Sequence, residues 1–114
     1  MHELSIAMSI IEYAEEESER RGEQVDAIHI RVGALSGVVK EALLTSFEIA
    51  RQGTSLSGTR LLIEETAVTI YCETCRTERP AHSVQRLCCS VCDAPSAEIR
   101  QGRELEVFAL ELTS

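Results

Sequence analysis

All five cysteines of the 114-residue chain lie between Cys72 and Cys92. Four of them make two Cys-x-x-Cys pairs, Cys72-Glu73-Thr74-Cys75 and Cys89-Ser90-Val91-Cys92, separated by thirteen residues. An odd, clustered set of cysteines with no secretory leader points to a metal before disulfides. Each short pair brings two thiolates to one side of a tight turn. Two such turns facing each other offer the tetrahedral sulfur set that zinc accepts, expected here as Cys72, Cys75, Cys89 and Cys92. Four sulfurs close the shell, so the site is expected to be structural and not hydrolytic. Cys88 either replaces Cys89 by widening the second turn or stands beside the site. His82, in the spacer, reads as an exposed loop histidine. A thioredoxin-like redox pair is disfavoured, because Arg76-Thr77-Glu78-Arg79-Pro80 is a poor helix start and two pairs are present.

Between Tyr71 and Ala97 the apolar residues of any size are Val84, Leu87 and Val91. That is too little to bury a core, so metal ligation is expected to supply the missing folding energy.

The flanking segments read differently. His2 to Gly22 is expected to be an amphipathic helix, with Leu4, Ala7, Met8, Ile11 and Ala14 on its apolar stripe, Ile6, Ile10 and Tyr13 widening it, and Gly22 as its stop. Val25 to Val32 alternates as a strand, with His29 off its apolar face. After a Gly33–Gly37 break, Ser36 is the expected cap of a second helix, Val38 to Arg51, with Val39, Leu43, Phe47 and Ala50 on its stripe. Arg60 to Glu64 gives a further strand, and strand–helix–strand order predicts a parallel crossover. The alternating segment around Leu105, Val107 and Ala109 is expected to return to the same sheet. The fold class is therefore α/β (α+β), a small three-stranded sheet with two helices. The domains are residues 1–70 with 98–114, and a zinc-binding insertion, 71–97.

Nineteen acidic against eleven basic residues leave a formal charge of −8. That argues against nucleic-acid binding, which needs a basic face. No eighteen-residue apolar run suits a membrane span, and a soluble, cytoplasmic protein is expected. No nucleophile–base pair or open metal site emerges, so no enzyme is expected. The start, Met1-His2-Glu3, offers a terminal amine, the following amide nitrogens and an imidazole. That set suits Ni(II) or Cu(II) better than magnesium or calcium, although the residues alone also allow a frayed terminus.

These pieces together resemble the HypA/HybF family of nickel-insertion accessory proteins. The resemblance rests on Met1-His2-Glu3-Leu4-Ser5-Ile6, Arg31-Val32-Gly33-Ala34-Leu35-Ser36-Gly37-Val38, Ser46-Phe47-Glu48, the paired Cys-x-x-Cys turns and Gly102-Arg103-Glu104-Leu105, in order and spacing. It implies a metallochaperone for maturation of [NiFe]-hydrogenase, and in some organisms urease. Ni(II) would sit at His2 with Met1 and Glu3 as adjoining donors, and Zn(II) at the four paired cysteines of a zinc-ribbon-like insertion. The implied partners are a HypB-type nickel GTPase and the hydrogenase large-subunit precursor. A monomer and a homodimer are both open, since a returning terminal strand can be exchanged between chains. In the family, Pro and Gly usually stand where this chain has Ser90 and Asp93, and Gly where it has Arg76. A zinc-ribbon protein–protein adaptor without nickel delivery is the alternative.

Overall fold

The computed structural model describes residues 3–114, so the expected nickel donors Met1 and His2 lie outside the described residues. The elements are α1 (Glu3–Arg21), β1 (Gln24–Gly33), α2 (Lys40–Ala50), β2 (Arg60–Thr66), β3 (Thr69–Cys72), β4 (Thr77–Pro80), β5 (Ile99–Gln101) and β6 (Leu105–Thr113). They form two three-stranded sheets, ordered β2-β1-β6 and β4-β3-β5. The chain divides into two compact units, 1–30 with 38–64 and 106–114, and 31–37 with 65–105.

In the first unit, α1 packs on α2 and both helices serve one core. Its buried residues include Ala7, Ile10, Ile11 and Ala14 of α1, Val25, Ala27, Ile28 and Ile30 of β1, Leu43 and Phe47 of α2, and Leu56. Ile10 is buried with the expected stripe of α1, whereas Leu4 and Met8, expected on it too, are 49% and 57% exposed. Ala7 and Ala14 carry no side-chain bulk beyond Cβ, so the helix seats closely along their line. α1 ends as its sequence predicts. Gly22 takes φ 65°, and the Glu23 N–H bonds the Ser18 carbonyl at 3.1 Å, closing the last turn.

Two bonds show how β1 and β2 run. Thr59 Oγ1 donates to the Val25 carbonyl at 2.7 Å near their starts, and the Ala34 N–H to the Thr66 carbonyl at 2.9 Å near their ends. Coincident starts and ends mark the parallel crossover that strand–helix–strand order implies. β6 lies on the other side of β1 and runs antiparallel, with Glu111 Oε2 at 2.5 Å from His29 Nε2 and Thr113 bonded to Asp26.

The expected cap of α2 also fails. Ser36 does not cap α2; Val39 is the N-cap residue, and no side chain of its own closes the helix start. The Val39 N–H is instead taken by Glu3 Oε2, 3.2 Å away. A carboxylate from another helix thus does what a capping serine does from within, satisfying a donor that the helix start leaves open.

The second unit is small and its core is sparse. β3 lies between β4 and β5, antiparallel to both. The buried cluster is Val68, Ile70, Cys72 and Cys89, with Leu35, Cys75, Ala81, Leu87, Ala94 and Ile99 packed against it. Val84 and Val91 stay 37% and 66% exposed, so of the three larger apolar residues of the cysteine segment only Leu87 packs on the core. Val68, Ile70 and Leu35 come from outside the 71–97 segment.

Candidate metal centre

β3 delivers Cys72 at its end, and the chain turns through Cys75 before β4 begins at Thr77. The Cys75 N–H points at the Cys72 sulfur, 3.4 Å away. The second turn repeats the device, with the Val91 and Cys92 amides donating to the Cys89 sulfur at 3.3 and 3.4 Å. In each pair the first sulfur accepts amide hydrogens from the turn that carries the second. Such bonds favour the thiolate and aim it inward.

The ligand atoms of Cys72, Cys75, Cys89 and Cys92 all lie within 4.8 Å of one another. Closest are Cys72 and Cys92 at 3.4 Å and Cys75 and Cys89 at 4.0 Å. Zinc–sulfur bonds of about 2.3 Å in a tetrahedron need sulfurs about 3.8 Å apart. The four residues therefore fit a zinc ion, which would join the two turns. All five cysteines are free thiols, and Cys88 stands outside the group. Its backbone is engaged in a bridge with Pro95, and its carbonyl accepts the His82 N–H at 3.1 Å.

With protons on the sulfurs in place of a metal, the thiols titrate unequally. Burial opposes ionisation of Cys89, yet the Cys92 and Val91 amides, aided by the Cys92 and Cys72 thiols, draw it down to about 6. Cys92 accepts the Ala94 amide, but sharing with Cys72, burial and the neighbouring Cys89 and Cys75 push it up to about 12. A metal ion displaces such protons, so occupancy and pH are linked.

The residue after each pair takes a left-handed backbone, with φ 56° at Arg76 and 67° at Asp93. Glycine adopts that conformation freely, aspartate tolerates it, and arginine is strained there. Asp93 has compensating bonds: its carboxylate pairs with Arg86 at 2.7 Å and with His82 Nε2 at 2.8 Å. His82 is an exposed loop histidine outside the sulfur cluster, as expected, and is one of two side chains that pair with Asp93 at the second turn. Arg76→Gly is expected to raise the stability of the zinc-loaded protein by roughly 0.5–1 kcal/mol. Asp93→Gly is expected to give no such gain, because relieved strain is offset by the lost pairs. Thermal unfolding of the two variants beside wild type checks this.

Of the expected nickel donors, Glu3 is the one within the described residues. It opens α1, and its carboxyl is held below the usual range first by the Val39 amide and then by its own. Its carboxylate is therefore already engaged at the start of α2.

A family model described as "Hydrogenase/urease nickel incorporation, metallochaperone, hypA" matches residues 1–112. Proteins named hydrogenase maturation factor HypA are similar along nearly all of the chain. That of Roseiflexus sp. (strain RS-1) is 47% identical over 112 residues, covering 97% of this chain and 91% of the relative. That of Chloroflexus aurantiacus (strain J-10-fl) is 45% identical, covering 97% and 98%. Among solved structures, the solution structure of the Ni metallochaperone HypA from Helicobacter pylori superposes with a TM-score of 0.65 at 24% identity, covering 98% and 97%. A second HypA solution structure gives 0.73 at 23%, covering 99% and 97%. At these identities the two structures speak for the fold.

Proposed function

Because the chain belongs to the HypA family of hydrogenase/urease nickel-incorporation metallochaperones, we propose that it carries Ni(II) at its amino terminus to a [NiFe]-hydrogenase, or to a urease, during maturation. The observation that carries this reading is the join, in one chain matched along its length, of Met1-His2-Glu3 to a four-cysteine cluster. The two ends ask for different metals. Amine, amide and imidazole nitrogens favour Ni(II), and four thiolates favour zinc.

Ni(II) is cargo. Its donors are the Met1 amine, the His2 amide and imidazole, and the Glu3 amide. α1 begins at Glu3, so that nitrogen lies outside the helix's own i to i−4 hydrogen-bond ladder. Glu3 contributes through its backbone, while its carboxylate fastens the terminus to the start of α2. Amide donors must lose protons to bind, so acid releases the cargo. The field helps as well. The unit bearing the terminus holds thirteen acidic and five basic residues and the cysteine unit six of each, so the whole net charge of −8 falls on the nickel side.

Zn(II) at Cys72, Cys75, Cys89 and Cys92 is the structural metal of residues 71–97, and 1–70 with 98–114 form the nickel domain. The protein works in the cytoplasm without catalysing a reaction, as a monomer or homodimer. Its partners are a HypB-type nickel GTPase and the hydrogenase large-subunit precursor. No helix among the described residues is long and apolar enough to cross a membrane.

Nickel titration of the zinc-loaded protein with its native terminus tests the reading. One nickel site is expected, lost in His2→Ala and in a form with extra residues before Met1, with zinc retained in both. Equal nickel binding in all three would overturn it and leave the zinc-ribbon adaptor.

A further inference from the structure

We propose that Arg79 is a positioning residue of the metal centre, whose guanidinium meets the Cys75 sulfur and supplies the positive charge that a tetrathiolate zinc site lacks. This rests on the reading of the four cysteines as a zinc site.

The first observation is register. β3 and β4 pair Ile70 with Arg79 and Cys72 with Thr77. Residues directly opposite in an antiparallel pair share a face, and so do residues two apart in one strand. Arg79 therefore stands on the face of Ile70 and Cys72, which are 0% and 1% exposed. An arginine has been placed on the cysteine side of the smallest core in the protein.

The second observation is an orphan. Arg79 Nε is buried, and no group among the described residues accepts its hydrogen. A buried, unpaired donor on a charged group costs free energy and is uncommon unless something answers it. What lies beside it is sulfur. The guanidinium hydrogen-bonds the Cys75 side chain, and Cys89 and Cys72 lie within electrostatic reach of it.

The third observation is charge. Zinc with four thiolates carries two net negative charges, and Cys72 and Cys89 are buried. Charge in such a setting needs a partner. Asp93 takes up Arg86, and Glu98 takes up Arg100. Arg79 is the cation that the register turns toward the sulfurs. An N–H···S bond withdraws density from a metal-bound thiolate, which lowers its reactivity toward electrophiles and slows its release of the metal.

The test uses zinc-loaded full-length protein. Arg79→Met keeps much of the apolar stem and removes charge and donors; Arg79→Lys keeps the charge. Metal transfer to excess 4-(2-pyridylazo)resorcinol is expected to quicken in Arg79→Met by about 10-fold or more, the range that partners of metal ligands command. Arg79→Lys is expected to lie nearer wild type. Iodoacetamide should mark Cys75 ahead of the other cysteines in Arg79→Met, and in cobalt-substituted protein the thiolate-to-metal charge-transfer band should move to lower energy. A packing role would leave that band in place and expose all four cysteines alike. Cadmium-113-loaded wild type provides a test independent of variant folding: a guanidinium proton of Arg79 is expected to show scalar coupling to the metal. Absence of that coupling, an Arg79→Met protein that behaves as wild type, or an Arg79→Lys protein no better than Arg79→Met would each overturn the proposal. Wild type that binds no zinc would overturn the zinc reading itself, whereas zinc held equally by all three proteins overturns only the role of Arg79.

Discussion

Chelating the zinc is expected to unfold the unit of residues 31–37 and 65–105 while the helical unit keeps its helices. Four buried residues form the core of the cysteine unit, and two of them, Cys72 and Cys89, belong to the four-sulfur cluster that fits a zinc ion. Without metal, Val68 and Ile70 remain as its fully apolar centre, on strands of four, four and three residues. Structural zinc supplies on the order of 10 kcal/mol in small domains, well above what such a core can offer. Amide hydrogen exchange makes the distinction. Amides from Thr69 to Cys72 should lose protection on chelation, while those of α1 and β1 retain it. Protected β3 amides in chelated protein would mean that the small core holds by itself. Single substitutions sort the ligands: Cys92→Ser and Cys89→Ser should lose zinc, and Cys88→Ser should keep it.

Acid should act in the same direction. Cys89 titrates near 6 in the folded chain and near about 8.5 in an unfolded one, so its ionised form favours the fold. That contribution is fully present above the unfolded value and is lost as pH falls through about 6. Protons compete with zinc over the same range, so zinc retention should weaken as the solution is acidified.

Gly33→Ala is the second change expected to have a large effect. A Cβ at Gly33 would fall 2.2 Å from both the carbonyl carbon and oxygen of Gly102, and 2.7 Å from the Arg103 nitrogen. All three are backbone atoms, so no side chain can swing aside. The chain is also tied on both sides of the contact: the Gly33 N–H bonds the Glu104 carbonyl and the Leu35 N–H the Gly102 carbonyl, each at 2.7 Å. Relieving the overlap means breaking those bonds. The expected cost exceeds about 4 kcal/mol, the exceptional end of single substitutions, and lowers the thermal midpoint by roughly 15 °C or more. Gly58→Ala is the control. Its Cβ would meet nothing within 4 Å, so little change is expected. A Gly33→Ala protein melting within a few degrees of wild type would show that the two segments do not approach so closely.

Much of the first unit was legible because helices and strands announce themselves by period. Leu43 and Phe47 of α2 are buried on the stripe their spacing defines, and β6 returns beside β1 as its alternation implied. The errors are instructive. Leu4 and Met8 share the helical period with Ala7 and Ile11, yet they lie outward, because period identifies a stripe and not which of its edges meets the core. Leu56 sits in a Gly/Ser-rich loop where no apolar period marks it, yet it is fully buried. Ser36 had the chemistry of a cap and stood in the wrong place; Glu3 had the place.

That two cysteine pairs converge on one site was legible in the sequence alone, because metal chemistry depends on residue type and on spacings short enough to be local; the structure chose Cys89 over Cys88. The donor set of the terminus, Met1-His2-Glu3, is written in the same short-range terms. Tertiary structure decided the rest. Glu3 meets Val39 across 36 residues. Leu35 and Val68 close a core that the cysteine segment lacks. Arg79 faces the sulfurs because it pairs with Ile70. Each of these follows from strand register or from contact between distant segments, and a one-residue slip in register would turn Arg79 to the opposite face.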